Sequence, residues 1–270
     1  MAKKVLFINQ EFDPYVAETH MSIMGRELPQ KMQAAGFEIR TFMPKWGTIN
    51  ARRGQLHEVI RLSGMNLIID DTDHPLIINV ASIPTTRQQI YFIDNEDYFN
   101  RRQMAEDEQG VEYTDNGERA IFFARGVLET VKKLRWQPDV IVCQGWVSAV
   151  VPFYIKTAYA EEPSFANSKV ILSLYTNELK AELGTNFKQC VDYRDAKAEL
   201  LADYKENFDF TELGKMAIDY SDGVIQGEDG AGVKLLEYAG EKNKPVLNYP
   251  GDDFADAYKT FINEVFPDEE

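Results

Sequence analysis

The residues best equipped for chemistry stand at the ends of two apolar runs. Val140-Ile-Val-Cys-Gln-Gly-Trp146 passes from four apolar residues into an amide, a glycine and an indole. Glu11 follows a similar run, Val5-Leu-Phe-Ile8. A carboxylate and an amide can hydrogen-bond hydroxyl groups, but Gln144 cannot exchange protons near pH 7 as a histidine would. Trp146 offers an aromatic face of the kind that stacks on sugar rings. Together they suit recognition of a polyol better than acid–base catalysis.

Other clusters carry less. Asp70-Asp-Thr-Asp-His74 groups oxygens that a hard cation favours, but it lacks the glycine and terminal glutamate of a calcium loop and reads as a solvated hairpin turn. Gly227-Glu-Asp-Gly-Ala-Gly232 stands at a strand-to-helix turn; its glycine order is wrong for a dinucleotide fingerprint, and Glu228 and Asp229 would repel phosphate. The acidic run Glu106, Asp107, Glu108 and Glu112 reads as a solvated loop, and His20 as a loop or surface residue. Cys143 and Cys190 lack metal spacing, so reduced thiols in a cytosol are expected. No metal site, cofactor or catalytic set emerges.

These residues need a scaffold, and the 270-residue chain supplies alternating strand and helix signals. Strands are expected over 4–9, 38–43, 140–143, 169–174, 223–226 and 245–248. Helices are expected over 21–35, 116–134 with Asp115 as N-cap, 147–157, 190–204, 210–220, 233–238 and 253–266. Short apolar pieces at 59–62, 67–69, 76–81 and 90–93 suggest hairpins, and 103–109 a mobile loop. Helices between successive strands imply a doubly wound, mainly parallel α/β sheet. Ligands bind such sheets at the carboxyl ends of the strands, where Gln144 to Trp146 fall.

The net charge of −15 argues against nucleic acid and makes any anionic ligand depend on a local cluster of cations. A neutral polysaccharide meets no such barrier. No apolar run approaches the length of a membrane span.

A series of stretches carries a more specific message: Glu11, Pro14 and Tyr15 after the first strand; Met43-Pro-Lys-Trp-Gly47; Tyr91-Phe-Ile-Asp-Asn95; Tyr98-Phe-Asn-Arg101; and Asp115, Asn116, Arg119, Phe122 and Phe123. In order and with few gaps, they resemble the glycogen synthases of bacteria and the starch synthases of plants, glycosyltransferase family 5. The resemblance implies a Rossmann-like domain, the amino-terminal half of a two-domain GT-B glycosyltransferase. One such domain is expected over 1–270, with a hairpin and loop insertion at 55–110 and a terminal helix at 253–266. The apolar side of that helix (Phe254, Tyr258, Phe261, Ile262, Val265, Phe266) is expected to pack on the domain and cover surface that a second domain would otherwise occupy.

The departures from the family fall on its working positions. Where the family reads Lys-Thr-Gly-Gly-Leu to approach the diphosphate of ADP-glucose, this chain has Ala17, Glu18, Thr19, His20 and Met21. Where it reads His-Asp-Trp-His, the chain has Gln144, Gly145, Trp146 and Val147. Tyr175 takes the slot of a further histidine, with Asn177 one place out of register. Full enzymes carry a second α/β domain, whereas this chain ends soon after Asn248. The expectation is a catalytically incomplete relative that binds an α-glucan, an oligosaccharide or a partner in glucan metabolism. Glu11, Gln144, Trp146, Tyr175 and Asn177 are its candidate ligand-binding residues. The alternative is an active ADP-glucose-dependent α-1,4-glucosyltransferase, alone or completed by a second chain. A scaffold with no ligand is the third reading.

Overall fold

A computed structural model describes residues 2–83, 86, 88–100, 103–265 and 267. Arg101, Phe266 and the side chain of Val265, used in the sequence reading, lie outside the described residues.

Among the described residues ten strands form the sheet: β1 Lys4–Asn9, β2 Glu38–Pro44, β3 His57–Glu58, β4 Met65–Ile69, β5 Thr72–Ser82, β6 Gln89–Asp94, β7 Val140–Gln144, β8 Lys169–Leu174, β9 Gly223–Gln226 and β10 Val246–Leu247. Their order is β10-β9-β8-β7-β1-β2-β6-β5-β3, with β4 beside β5. The strands from β10 to β6 are all parallel, whereas β5 runs antiparallel to β6, β3 and β4. The doubly wound α/β class is as expected. The hairpins are present, but β6 joins the parallel core beside β2.

The α-helices that flank this sheet are α1 His20–Ala34, α2 Asn116–Lys133, α3 Val151–Lys156, α4 Phe187–Cys190, α5 Phe210–Asp219, α6 Val233–Glu241 and α7 Phe254–Val265. The central strands read as unbroken apolar runs because both faces are covered. Val5, Phe7, Val140, Val142, Ile171 and Ile225 face the layer that holds α1 and α7. Leu6, Ile8, Ile141, Cys143 and Leu172 face the opposite layer, with α2, α3 and α5. Phe254, Tyr258, Phe261 and Ile262 of α7 are buried in the first layer, and the Tyr258 hydroxyl lies 3.0 Å from Ser173 Oγ. Both cysteines are free and buried.

Four expectations need correction. The stretch 190–204 is not one helix. After α4, Tyr193 and Ala196 form a bridge, Arg194 takes a left-handed φ of 52°, and Ala198–Leu201 makes a separate 3-10 turn. Asp192 Oδ1 accepts from Ala198 N at 2.6 Å, so a side chain competes for the backbone that a helix would use. The helix expected at 147–157 is split into a 3-10 turn at Trp146–Ser148 and α3. Pro152 sits in the first turn of α3, where its missing N–H costs no hydrogen bond. Residues 59–62 form turns instead of a strand. Asp115 stands at the N-cap position of α2 but makes no side-chain capping bond.

The acidic stretch near 106–112 is tied in place. Asp107 N donates to Val111 O at 2.8 Å, and Glu112 accepts from the backbone N–H groups of Lys180 and Ala181. No helix among the described residues is long and apolar enough to cross a membrane.

Candidate functional site

The chain builds outward from β1 in two directions: to β2 and β6 on one side, then from β7 to β10 on the other. The carboxyl ends of β1 and β7 therefore border the topological switch point, the usual ligand crevice of such sheets. Gln10 N donates to Gln144 O at 3.1 Å and ties these ends together. Gly145 then turns the chain with φ 82° and ψ 167°, a combination essentially confined to glycine. A Cβ built there would lie 2.5 Å from Gln10 Oε1.

Glu11 is 7% exposed. Its carboxylate accepts from the Thr19 hydroxyl and, at 3.3 Å, from Gln10 Nε2. Thr19 also caps α1 through a reciprocal bond with Ser22. Gly25 lets α1 approach this loop, since a Cβ there would meet Glu11 O at 2.3 Å. Burial raises the Glu11 pKa; the Thr19 and Gln10 hydrogen bonds lower it by less, and the charge of Glu228 raises it further. Glu228 is itself fixed by Thr176, whose N and Oγ1 donate to it at 2.9 and 2.5 Å.

Gln144, Tyr175 and Asn177 come together with Glu11 through Gln10. Gln144 is fully buried, and its Nε2 donates to Tyr175 OH at 3.1 Å. Its Oε1 has no hydrogen-bond partner. Asn177 Nδ2 donates to Gln10 Oε1 at 2.9 Å. Burial pushes the Tyr175 phenol well above its ordinary pKa, so it acts as a neutral hydroxyl. Trp146 stands apart from this polar ring: it is 2% exposed and lies 6.4 Å, centroid to centroid, from Trp46, whose Nε1 donates to Gln10 O at 2.8 Å. The cavity beside Trp146 and Tyr175 holds about 20 Å³, room for a single water.

Sequence reasoning missed Gln10, Thr19 and Glu228. Gln10 was findable, because it follows the first strand at the crevice edge. His20 is more than a surface residue. Its Nε2 lies 3.1 Å from Gly227 O, bridging the start of α1 to the turn after β9.

Among the described residues no Lys or Arg bonds to Glu11, Gln144, Tyr175 or Asn177, and no cluster of three or more His, Cys, Asp or Glu is placed to hold a metal. Asp70 and Asp71 form the two-residue tip of the β4–β5 hairpin. His74 is buried beneath it, with Nε2 3.0 Å from Tyr98 OH and Nδ1 3.3 Å from Asp97 Oδ2.

The raised pKa of Glu11 has a sign that can be tested. Its folded form holds a proton at pH values where the unfolded chain has already released it. Stability should therefore fall as pH rises from the unfolded pKa, near 4.5, through the higher folded one. Asp94, raised chiefly by burial, adds to the same slope. Glu11→Gln is expected to raise the Tm at pH 7 and to flatten this decline; melting curves from pH 4.5 to 8 check it. A lower Tm at pH 7 would show that the ionised carboxylate is a net stabiliser.

The chain matches the family pattern described as the starch synthase catalytic domain over residues 4–228. Among curated relatives, the glycogen synthase of Chlorobium limicola (strain DSM 245 / NBRC 103803 / 6330) is 38% identical over 173 residues, covering 64% of this chain and 35% of that protein. The glycogen synthase of Chlorobaculum tepidum is also 38% identical over 173 residues, covering 64% of this chain and 36% of its own length. The chain thus spans about a third of these relatives. The catalytic domain of starch synthase IV from Arabidopsis thaliana, solved with ADP and acarbose, superposes with a TM-score of 0.74. It is 16% identical, with 92% of this chain and 51% of that one covered, a likeness of fold. With the family pattern running through both strand ends that frame the crevice, the chain belongs to the starch synthase catalytic-domain family, glycosyltransferase family 5.

Proposed function

We propose that this protein serves glucan metabolism in the cytosol by recognising an α-glucan, without transferring glucose to it, as a single unit built on the amino-terminal half of the family's architecture. The observation that carries this reading is the charge and closure of the crevice. Glucosyl transfer from ADP-glucose requires stabilisation of a departing diphosphate by fixed positive charge or donors. Here Ala17 stands in the slot of the family's lysine, and two carboxylates, Glu11 and Glu228, lie close enough to repel each other. The polar groups that remain are engaged: Glu11 with Thr19, Gln144 with Tyr175 and Asn177 with Gln10. Hydroxyl groups exchange hydrogen bonds with carboxylates and amides without needing a cation. Glu11, Gln144, Tyr175 and Asn177 are the proposed polar contacts, and Trp146 is assigned to the wall behind them.

The second reading is an active ADP-glucose-dependent α-1,4-glucosyltransferase, alone or completed by a second chain; family membership favours it. One assay separates the two. Purified protein incubated with ADP-glucose and glycogen is expected to release no ADP beyond the level of Glu11→Ala and Gln144→Ala controls. Release above those controls overturns the proposal. Migration should be retarded in gels that contain glycogen, and unretarded migration counts against glucan recognition.

A further inference from the structure

Apart from the crevice, a groove of about 640 Å³ lies between α1 and the turn at residues 53–55, beside the loop after β1. This volume falls in the ~300–1,000 Å³ range of small-molecule sites, whereas the space beside Trp146 does not. We infer that this groove is a second binding site, and that it takes a neutral oligosaccharide of the α-glucan class. The choice of α-glucan among neutral polyols rests on the proposed function above; the site itself rests on its own chemistry.

The groove has an apolar floor and a polar rim. Pro14, Tyr15 and Ile83 supply apolar surface; Arg26, Gln30, Arg53 and Gln55 supply polar groups. Tyr15 is held edge-on to Phe92 at 4.8 Å, so its ring is ordered before any ligand arrives. A pyranose has the same division, with C–H faces and a hydroxyl girdle, and an aromatic ring with nearby amides matches both parts.

The charges select a neutral ligand. Arg26 is ion-paired with Asp13, and its other terminal nitrogen lies 3.6 Å from Glu27. Lys31 is 3.8 Å from Glu27 and also lies over the Phe254 ring. A phosphate would compete with these carboxylates in a chain of net charge −15. A hydroxyl can accept from a guanidinium and donate to a carboxylate, so it uses such pairs as they stand. Arg53, exposed and without an ion pair among the described residues, adds a free donor fork to the rim. The groove and the crevice share one loop: Gln10 and Glu11 serve the crevice, and Pro14 and Tyr15 serve the groove.

The test is calorimetric titration of the full chain with maltoheptaose. Three proteins are compared: wild type, the double variant Gln30→Ala with Arg53→Ala, and the crevice variant Asn177→Ala. Loss of two or more rim hydrogen bonds should weaken binding about tenfold in the double variant. An unchanged Tm in that variant excludes unfolding as the cause. Wild-type binding that the double variant retains in full overturns the groove and leaves glucan recognition standing. Weakening confined to Asn177→Ala also overturns the groove and assigns the ligand to the crevice. A wild-type protein that binds no maltoheptaose overturns both proposals.

Discussion

Removing residues 253–270 is expected to lower the Tm by roughly 10 °C or more, or to leave a chain that no longer unfolds cooperatively. The burial of Phe254, Tyr258, Phe261 and Ile262 contributes at about 1.5–3 kcal/mol each. Ordering the twelve residues of α7 costs about 1–2 kcal/mol each, so the burial of its own side chains does not offset its ordering. The sheet decides the sign. Val5, Phe7, Val140, Val142, Ile171 and Ile225 are already ordered by their ladders, so the cover they gain carries no further chain entropy. Without α7 this apolar face would meet water. Tyr258→Phe separates the contributions, because it keeps the ring and loses only the hydroxyl's bonds to Ser173 and Tyr175, about 0.5–1.5 kcal/mol each. A truncated chain with an unchanged Tm would show that the helix does not support the fold.

The elements that were legible from residue types are those whose stability is local or whose burial is two-sided. β1, β8 and β9 match the expected bounds because a parallel strand covered on both faces reads as an uninterrupted apolar run. The segment at 190–204 was not legible. Cys190, Val191, Ala196 and Leu201 are all buried, but the backbone between them is set by the Asp192 side chain and the Arg194 turn, which residue types do not reveal. Strand ends also marked Glu11 and Gln144. Their partners could not be read off, because the contacts join distant positions: Asn177 to Gln10 across 167 residues, Tyr175 to Gln144 across 31, and His20 to Gly227 across 207. Trp146 illustrates the same limit. Its type suggests a stacking face, and its burial is set by Trp46, one hundred residues away in the chain.

The polar ring at the crevice and the groove behind Tyr15 divide the loop after β1 between two kinds of surface. At the crevice, Gln144 Oε1 lacks a partner, but Glu11, Tyr175 and Asn177 are already hydrogen-bonded, so a ligand there must mostly exchange bonds that already exist. Such an exchange has little net gain, since each protein–ligand bond replaces a protein–protein one. In the groove, the apolar floor is open and the rim is solvated, so binding releases water from both. On the proposed reading, this difference makes the groove the tighter of the two glucan-binding surfaces.

Restoring a single family residue to the crevice should destabilise it. Gly145→Asp puts back the carboxylate that the family carries, and it is expected to cost roughly 2–6 kcal/mol of stability, read as a fall in the urea midpoint at constant m-value. About 1–3 kcal/mol comes from forcing a side-chain-bearing residue to φ 82° and ψ 167°. A further ~1–3 kcal/mol comes from overpacking, because the new Cβ would meet Gln10 Oε1 at 2.5 Å and Gln10 Cβ at 2.7 Å. Moving Gln10 aside would release Asn177 and leave the Glu11 carboxylate with one donor fewer. Gly145→Ala isolates the steric part and should account for most of the loss; the remainder is the charge of a third carboxylate near Glu11 and Glu228. On the proposed reading, neither variant should release ADP from ADP-glucose. A midpoint unchanged by Gly145→Asp would mean that the turn after β7 can readopt the family's backbone, and the closure of the crevice would then be a property of side chains alone.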